Sequence, residues 1–328
     1  MQGPSKKINT DLALRAAWLS FIGGYTQGEI ASRMAISPAK VHRLITQAQQ
    51  AGLVQFHIEA RPDGCLHLEE EIVQRHGLKN CLVAPELSAP DSDPDSHFRA
   101  VAAAGGQLLG DLAASADIKQ IGVGKGRTLK AAIGAMRRVD RADLTIHSIS
   151  GSLTPRMSAN PYDVVLMLAE RTGGEGYFLP VPYIAANSAE RETLLGQPSV
   201  QTLLDQARRS DAFVIGIGAL DGDGHVLTTG MVDQKQADEL LTAGAVADML
   251  GRFVNRDGQV VPTPLNSRAI GLHFDDLIGA RVVAMAAGAI KAEAVSACLR
   301  TGIITDLVID EPLAKQLVTK MEVAAQNE

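Results

Sequence analysis

The sequence predicts an α/β protein with a small helical head: a winged helix-turn-helix domain over residues 1–60, then a Rossmann-like α/β domain over 61–328. Three observations predict it. The head shows three helical patterns punctuated by caps and glycines. LVQFHIEA, residues 53–60, alternates apolar and polar with period two. From Phe98 onward, helical patterns alternate with short apolar runs, as in a sheet with crossover helices.

The first helix is read from LALRAAWLSFIGG, which places Leu12, Ala16 and Leu19, with Trp18 and Ile22 on the other flank, at helical spacing before Gly23-Gly24. Thr26 and Glu29 form a capping box that starts a second, short helix through Ile30 and Met34. Ser37-Pro38 is an N-cap followed by the proline that helices accept at their first position, so a third helix runs to Ala51 and ends at Gly52. If Val41, Leu44, Ile45 and Ala48 face inward, Ser37, Ala39, Lys40, His42, Arg43 and Thr46 are left on the outer side. Short polar and basic side chains on the first turns of such a helix suit base edges and phosphates of duplex DNA, with Thr26 and Gln27 at the start of the preceding helix. Any two short helices joined by a turn share part of this pattern. The basic local balance, the capped short helix, the Ser-Pro start and the following strand favour the DNA-binding reading.

Charge divides the chain in the same place. Residues 1–60 hold six Lys/Arg against three acids, a balance of +3, whereas the remainder carries −9, which together give the chain's net −6. Hydrophobic residues at 46% and charged residues at 21% fit a globular protein with a full core. Cys65, Cys81 and Cys298 are scattered and odd in number, and no histidine stands near them at ligand spacing. That excludes a disulfide framework or structural zinc site, and predicts a reducing, cytoplasmic setting with no metal and no cofactor. No run approaches the roughly 18–20 apolar residues of a membrane span, and MQGPSKKINTDLALRAAW contains no export signal.

In the larger part, LHLEEEIVQRHGL from residue 66 reads as a linking helix, NCLVAPEL as a strand, and SAPDSDPDSHF as an exposed loop. Four later apolar runs end in glycine or serine: IGVG before KGRT, LTIHSIS before GSLTP, AFVIGIG before ALDGDG, and RVVAMAAG before AIK. In open α/β sheets ligands sit beyond the carboxyl ends of strands, where glycines let backbone N–H groups approach and helix N-termini add positive potential. GVGKGRT alone matches neither dinucleotide nor P-loop patterns. Arg127 and Thr128 open a helix and can donate to a phosphate or a polyol. Lys291 lies in the first turn of AIKAEAVSACLR, where a cation opposes the helix dipole, so a polar neighbour is expected. Asn160 and Asp248 can each cap a helix, and Asn160 before Pro161 fits an N-cap well. His147 reads as a core residue and His273 as a loop residue.

The chain as a whole resembles the SorC family of bacterial sugar-responsive transcription regulators. The resemblance rests on TQGEIASRMAISPAKVHRLI in the head, and on GVGKGRTL, SGSLTP, RTGGEGYFLPVPYIA, LLDQARRSDAFVIGIGAL, GAVADMLGRF and VVAMAAGAIKAEAVSACLRTGIITDLVIDE in the body. It implies a helix-turn-helix joined to a phosphosugar-isomerase-like, CoA-transferase-like α/β domain, and a homodimer or homotetramer. The implied partners are operator DNA and a small sugar, sugar phosphate or polyol effector. The implied effector loop is Gly124, Gly126, Arg127 and Thr128, joined by Ser150, Gly151, Asp248 and Lys291, with Asn160 nearby. Where the family often has tryptophan, in GxxWGxT, this chain has Lys125. An extra cation there either favours an anionic effector or points outward and replaces an aromatic wall. The competing expectation is a phosphosugar isomerase or deaminase with a helical extension. Such chemistry needs a poised carboxylate or histidine, for which Asp221, Asp223 and Asp248 are the nominees, although LDGDG is first of all a turn.

Overall fold

The caps found in the sequence set the helices of the head. In the computed structural model α1 spans Pro4–Ala17, α2 Gln27–Met34 and α3 Pro38–Gln50. The backbone N–H of Thr26 donates to Glu29 Oε2 at 2.8 Å, and Glu29 N–H donates back to Thr26 Oγ1. Ser37 Oγ accepts from Lys40 N–H at 3.3 Å, and Pro38 follows it. Between the two helices Ala35 takes the left-handed conformation, φ 52°, which lets the chain reverse within three residues. Ala13, Ala16, Ala17, Ile30, Ala31, Val41, Leu44, Ile45 and Ala48 form the core. One expectation fails at the end of α1. Residues Trp18–Ile22 form a π turn closed by Gly23 N–H on Trp18 O, and this widening leaves Trp18 and Ile22 exposed.

The structure describes residues 4–54, 60–87, 93, 95–154, 158–161, 163–220, 226 and 230–325, with backbone alone for 4–9, 50 and 320–325. The strand read over 53–60, most of the loop at 88–98, and Asp221 and Asp223 therefore lie largely or wholly outside the described residues. The chain divides into two units, Met1–Glu59 and Ala60–Glu328.

The helix read as a linker is α4, Asp63–His76, and it belongs to the second unit. Cys65 and Ile72 are in that unit's core, and the half-buried Glu69–Arg61 pair anchors the helix start while Glu69 Oε1 accepts from Val83 N–H at 2.8 Å. An apolar stripe and a charged anchor hold α4 on the sheet, so it is not a free connector.

The main sheet contains β1 (Asn80–Ala84), β2 (Gln120–Val123), β3 (Thr145–Ser148), β4 (Glu175–Tyr177), β5 (Ala212–Gly216), β9 (Arg281–Met285) and β10 (Asp306–Asp310). All are parallel, in the order β1-β10-β9-β5-β2-β3-β4. Alternate residues face opposite sides, as a strand period of two requires. Val282, Ala284, Leu307 and Ile309 enter one apolar cluster, whereas Val283, Met285 and Val308 enter another. Helices cover both faces, among them α5 (Ser96–Ala114), α6 (Arg127–Ala135), α7 (Val165–Thr172), α8 (Ser188–Leu195) and α9 (Pro198–Arg208).

From β2 the chain moves outward to β3 and β4; from β5 it moves the other way to β9 and β10. The β2/β5 boundary is thus the topological switch point, where loops diverge and leave a crevice. A small antiparallel sheet stands over it: β6 (Gly218–Ala219), β7 (Ala245–Met249) and β8 (Arg252–Asn255), with α10 (Gln234–Thr242) between β6 and β7. After α11 (Pro264–Arg268), β9 leads to α12 (Ala292–Arg300), and β10 leads to the last helix, α13 (Glu311–Ala325).

Candidate functional site

The four strands whose ends carry glycine or serine, β9, β5, β2 and β3, are consecutive neighbours in the sheet. A cavity of about 320 Å³ opens beyond their carboxyl ends. It gathers Lys125, Gly126, Arg127, Thr128, Ser150, Asp248 and Lys291 from the sequence reading. Gly124 lies beneath, against Ile215, and neither Gly151 nor Asn160 reaches the wall. Contributors that the sequence reading missed include His97, Phe98, Tyr183 and Leu250, while the glycine end of β5 that it singled out supplies Gly216–Gly218.

Two glycines are required here by close approach. A Cβ on Gly216 would stand 2.7 Å from Lys125 O, so its absence lets the β2 loop cross the end of β5. A Cβ on Gly151 would stand 2.1 Å from Pro182 O. Gly151 therefore supports the site by packing, and Gly151→Ala is expected to cost about 3 kcal/mol or more as the segment around Pro182 is forced away. Chemical denaturation of the purified variant measures this; an unchanged midpoint would contradict the packing role.

Lys125 turns inward, so it does not point outward in place of an aromatic wall, and acceptors of the protein itself meet its ammonium. Its side chain is only 3% exposed. The ammonium donates to Ser150 O at 3.0 Å and Ser150 Oγ at 3.3 Å, and lies 3.6 Å from Asp163 Oδ2. Burial pulls its pKa down to about 8, against the opposing pull of Asp163. Asp163 Oδ1 also accepts from Val165 N–H at the start of α7. That corrects the reading of Asn160 as the cap: Asn160 sits in a turn, its carbonyl accepting from Asp163 N–H.

Asp248 caps no helix either. It lies on β7, paired with Gly218 on one side and Phe253 on the other, just before the Leu250-Gly251 hairpin turn. Both turn residues have positive φ, as a two-residue hairpin loop requires. Burial raises the Asp248 pKa to about 7, although hydrogen bonds from Gly251 N–H and the Tyr183 hydroxyl favour its ionised form. The same burial, with the Asp248 carboxylate beside it, holds the Tyr183 phenol well above its ordinary range. Asp248 Oδ1 is buried without a hydrogen-bond partner among the described residues.

Lys291 is the last residue of a 3-10 turn, Ala289–Lys291, and immediately precedes α12 rather than lying inside its first turn. Its Nζ donates to Ile217 O at 2.9 Å, which supplies a polar neighbour of the kind the helix dipole calls for. Gly126, φ 142°, precedes α6 with no side-chain cap, so the first N–H groups of that helix are available to a ligand. Arg127 is exposed at the mouth, its guanidinium 5.3 Å from the Phe98 ring centre, while Thr128 is buried. His147 is a core residue, stacked on Tyr177 and 3.1 Å from Thr145 Oγ1, and His273 is exposed before a 3-10 turn. Among the described residues no group of His, Cys, Asp or Glu is arranged to hold a metal ion.

In the first unit, Ser37, Ala39, Lys40, His42 and Arg43 are exposed on α3 and Thr46 is half-buried. Gln27 Nε2 on α2 lies 3.4 Å from His42 Nδ1, linking the two helices on their exposed side. Thr26 is exposed, but its hydroxyl is occupied by the capping box.

A helical pair of this kind, in a chain with a polar cavity over a switch point, has the architecture of a regulator with a small-molecule domain. The Sugar-bind family model, which describes a sugar-binding domain, matches residues 60–319. The chain is 38% identical over 307 residues to the erythritol catabolism regulatory protein EryD of Brucella abortus, covering 94% of this chain and 96% of that one. It is 28% identical over 313 residues to the transcriptional regulator LsrR of Klebsiella pneumoniae, covering 94% and 93%. The full-length sorbitol operon regulator SorC of Klebsiella pneumoniae has the same fold, with a TM-score of 0.68 at 22% identity over 94% of this chain and 99% of that one. The chain belongs to the SorC family of sugar-binding-domain transcriptional regulators. It is a regulator and not an enzyme, and the isomerase or deaminase expectation is set aside on that finding. No described helix is long and apolar enough to cross a membrane.

Proposed function

We propose that the chain regulates a carbohydrate or polyol catabolic operon in the cytoplasm, with residues 1–60 binding operator DNA and residues 61–328 binding the effector and forming the homo-oligomer. The observation that carries this reading is the cavity over β9, β5, β2 and β3, where buried Asp248, Lys125, Ser150 and Thr128 face an opening rimmed by Arg127 and Lys291. Carboxylate, ammonium and hydroxyl groups on a small wall suit a compound with many hydroxyls. The name of the EryD relative points to polyols.

In the head, Lys40 and Arg43 contact phosphates, and Ser37, Ala39, His42 and Thr46 face base edges, with Thr26 and Gln27 at the backbone. A dimer places two α3 helices on half-sites about 34–36 Å apart or a multiple of that spacing. The effector acts by binding the DNA-competent and incompetent arrangements with different affinity. Because α4 is packed within the second unit, it does not act as a free connector.

The test is a thermal-shift screen of sugars, polyols and their phosphates. A hit is expected to raise the melting temperature of the wild type. Arg127→Ala or Lys291→Ala should remove most of that shift while leaving DNA affinity within about twofold. Full response in both variants would place the effector elsewhere.

A further inference from the structure

Among the described residues, one hydrogen bond joins exposed side chains of α2 and α3. Gln27, the first residue of α2, directs its amide Nε2 at Nδ1 of His42, 3.4 Å away and 15 positions further along the chain. An amide N–H aimed at one ring nitrogen fixes the roles of both. Nδ1 becomes the acceptor, and the hydrogen of a neutral ring then sits on Nε2. That second nitrogen has no hydrogen-bond partner among the described residues, and the ring is exposed. His42 therefore offers one N–H donor, held in place from the neighbouring helix, to whatever lies against this face.

The surroundings narrow what that partner is. Lys40 and Arg43 are exposed on the same helix, and α3 carries no carboxylate. Glu29, the one acid of α2, is committed to Thr26 by the capping box. A donor in such a setting suits an acceptor-rich edge of negative potential. In the major groove guanine presents two adjacent acceptors, N7 and O6, with no donor beside them. Adenine sets its N6 amino group next to N7, where it repels a second donor. Cytosine offers the N4 donor, and thymine has a methyl group beside O4.

We propose that His42 reads a guanine in each operator half-site, its Nε2–H donating to N7, and that Gln27 is the positioning residue that holds the ring. This rests on the reading of the first unit as the DNA-binding head and names one base that it recognises. Lys40 and Arg43 supply attraction to any duplex, whereas a fixed donor distinguishes one base from the others.

The experiment presents the full chain at pH 8, where an imidazole carries a single hydrogen, with a duplex pool randomised over the span of two half-sites, and sequences the retained fraction. Wild type should select guanine at one position of each half-site. His42→Ala should lose that preference and keep the others, and Gln27→Ala should reduce it. Replacing the selected guanine by 7-deazaguanine, which lacks the N7 acceptor, should weaken wild-type binding about three- to tenfold and change His42→Ala by less than about twofold. Melting transitions of both variants check that the fold is intact. If the preference lost with His42 falls on an A·T pair, or if 7-deazaguanine leaves wild-type binding unchanged, the donor role is overturned while the head remains on DNA. Identical selections by wild type and His42→Ala remove His42 from base readout, and identical selections by wild type and Gln27→Ala remove the positioning role. If no duplex is retained by any of the proteins, the DNA-binding reading itself falls.

Discussion

Asp248→Asn is expected to raise the melting temperature of the unliganded protein at pH 8 while removing its response to the effector. Burial lifts the Asp248 carboxyl from an ordinary 3.8 to about 7. At pH 8 the folded chain thus holds a desolvated carboxylate that costs on the order of 4 kcal/mol relative to the unfolded chain. Asparagine keeps an acceptor for Tyr183 and Gly251 N–H and removes the charge. Part of the cost persists because an amide must also be desolvated. The net gain is therefore about 1–3 kcal/mol, each kcal/mol being worth roughly 2–4 °C in a unit of this size.

The sign with pH is fixed by the direction of the shift. With its folded pKa raised, Asp248 carries its full penalty above pH 7; the penalty shrinks as pH falls toward 4, because the folded state takes up the proton first. The advantage of the variant should close over that window. Lys125, held at about 8 by burial, carries a constant penalty below that pH and gains relief only above it, so it adds no slope between pH 4 and 7. Melting curves of both proteins from pH 4 to 8 check the prediction. A variant less stable than wild type at pH 8 would mean that the carboxylate is structural.

The second large effect is expected in the head. Lys40→Ala and Arg43→Ala should each reduce the slope of log affinity against log salt by about 1, and the double variant by about 2. Both side chains are exposed on α3, so the losses should come without a change in the head's stability. His42→Ala should instead alter which sequences are preferred, since an imidazole on the same face reads base edges. Fluorescence anisotropy with duplex DNA from upstream of the chain's own gene, at several salt concentrations, separates the two effects. An unchanged slope in the double variant would remove α3 from the DNA.

The helices of the head were legible because their ends are written in local chemistry. Thr26 with Glu29, and Ser37 with Pro38, act within four residues of themselves, and the structure forms both caps. The strand ends were legible for a related reason, since glycines stand where the backbone must come close, as Gly216 does beside Lys125 O. The π turn at Trp18–Ile22 was not, because its apolar residues keep helical spacing while the extra residue rotates them outward. Side chains converging from distant loops were also hidden. Lys125 faces inward only because Ser150 and Asp163, 25 and 38 residues further on, supply its acceptors. Tyr183 lay in a quoted motif, RTGGEGYFLPVPYIA, but nothing in its spacing pointed at Asp248. Short apolar stretches do not separate a buried strand from a helix, which is why Asp248 read as a cap candidate.

The most direct test of the division between a DNA-binding head and a ligand-sensing cavity is operator affinity measured across a titration of the effector from the thermal-shift screen, in wild type, Asp248→Asn and the Lys40→Ala/Arg43→Ala double variant. The wild-type affinity should shift with effector. Asp248→Asn should bind DNA normally and ignore the effector, and the double variant should lose DNA while the effector still raises its melting temperature. A double variant that retains wild-type DNA affinity, or an Asp248→Asn protein that still responds to the effector, would contradict the account.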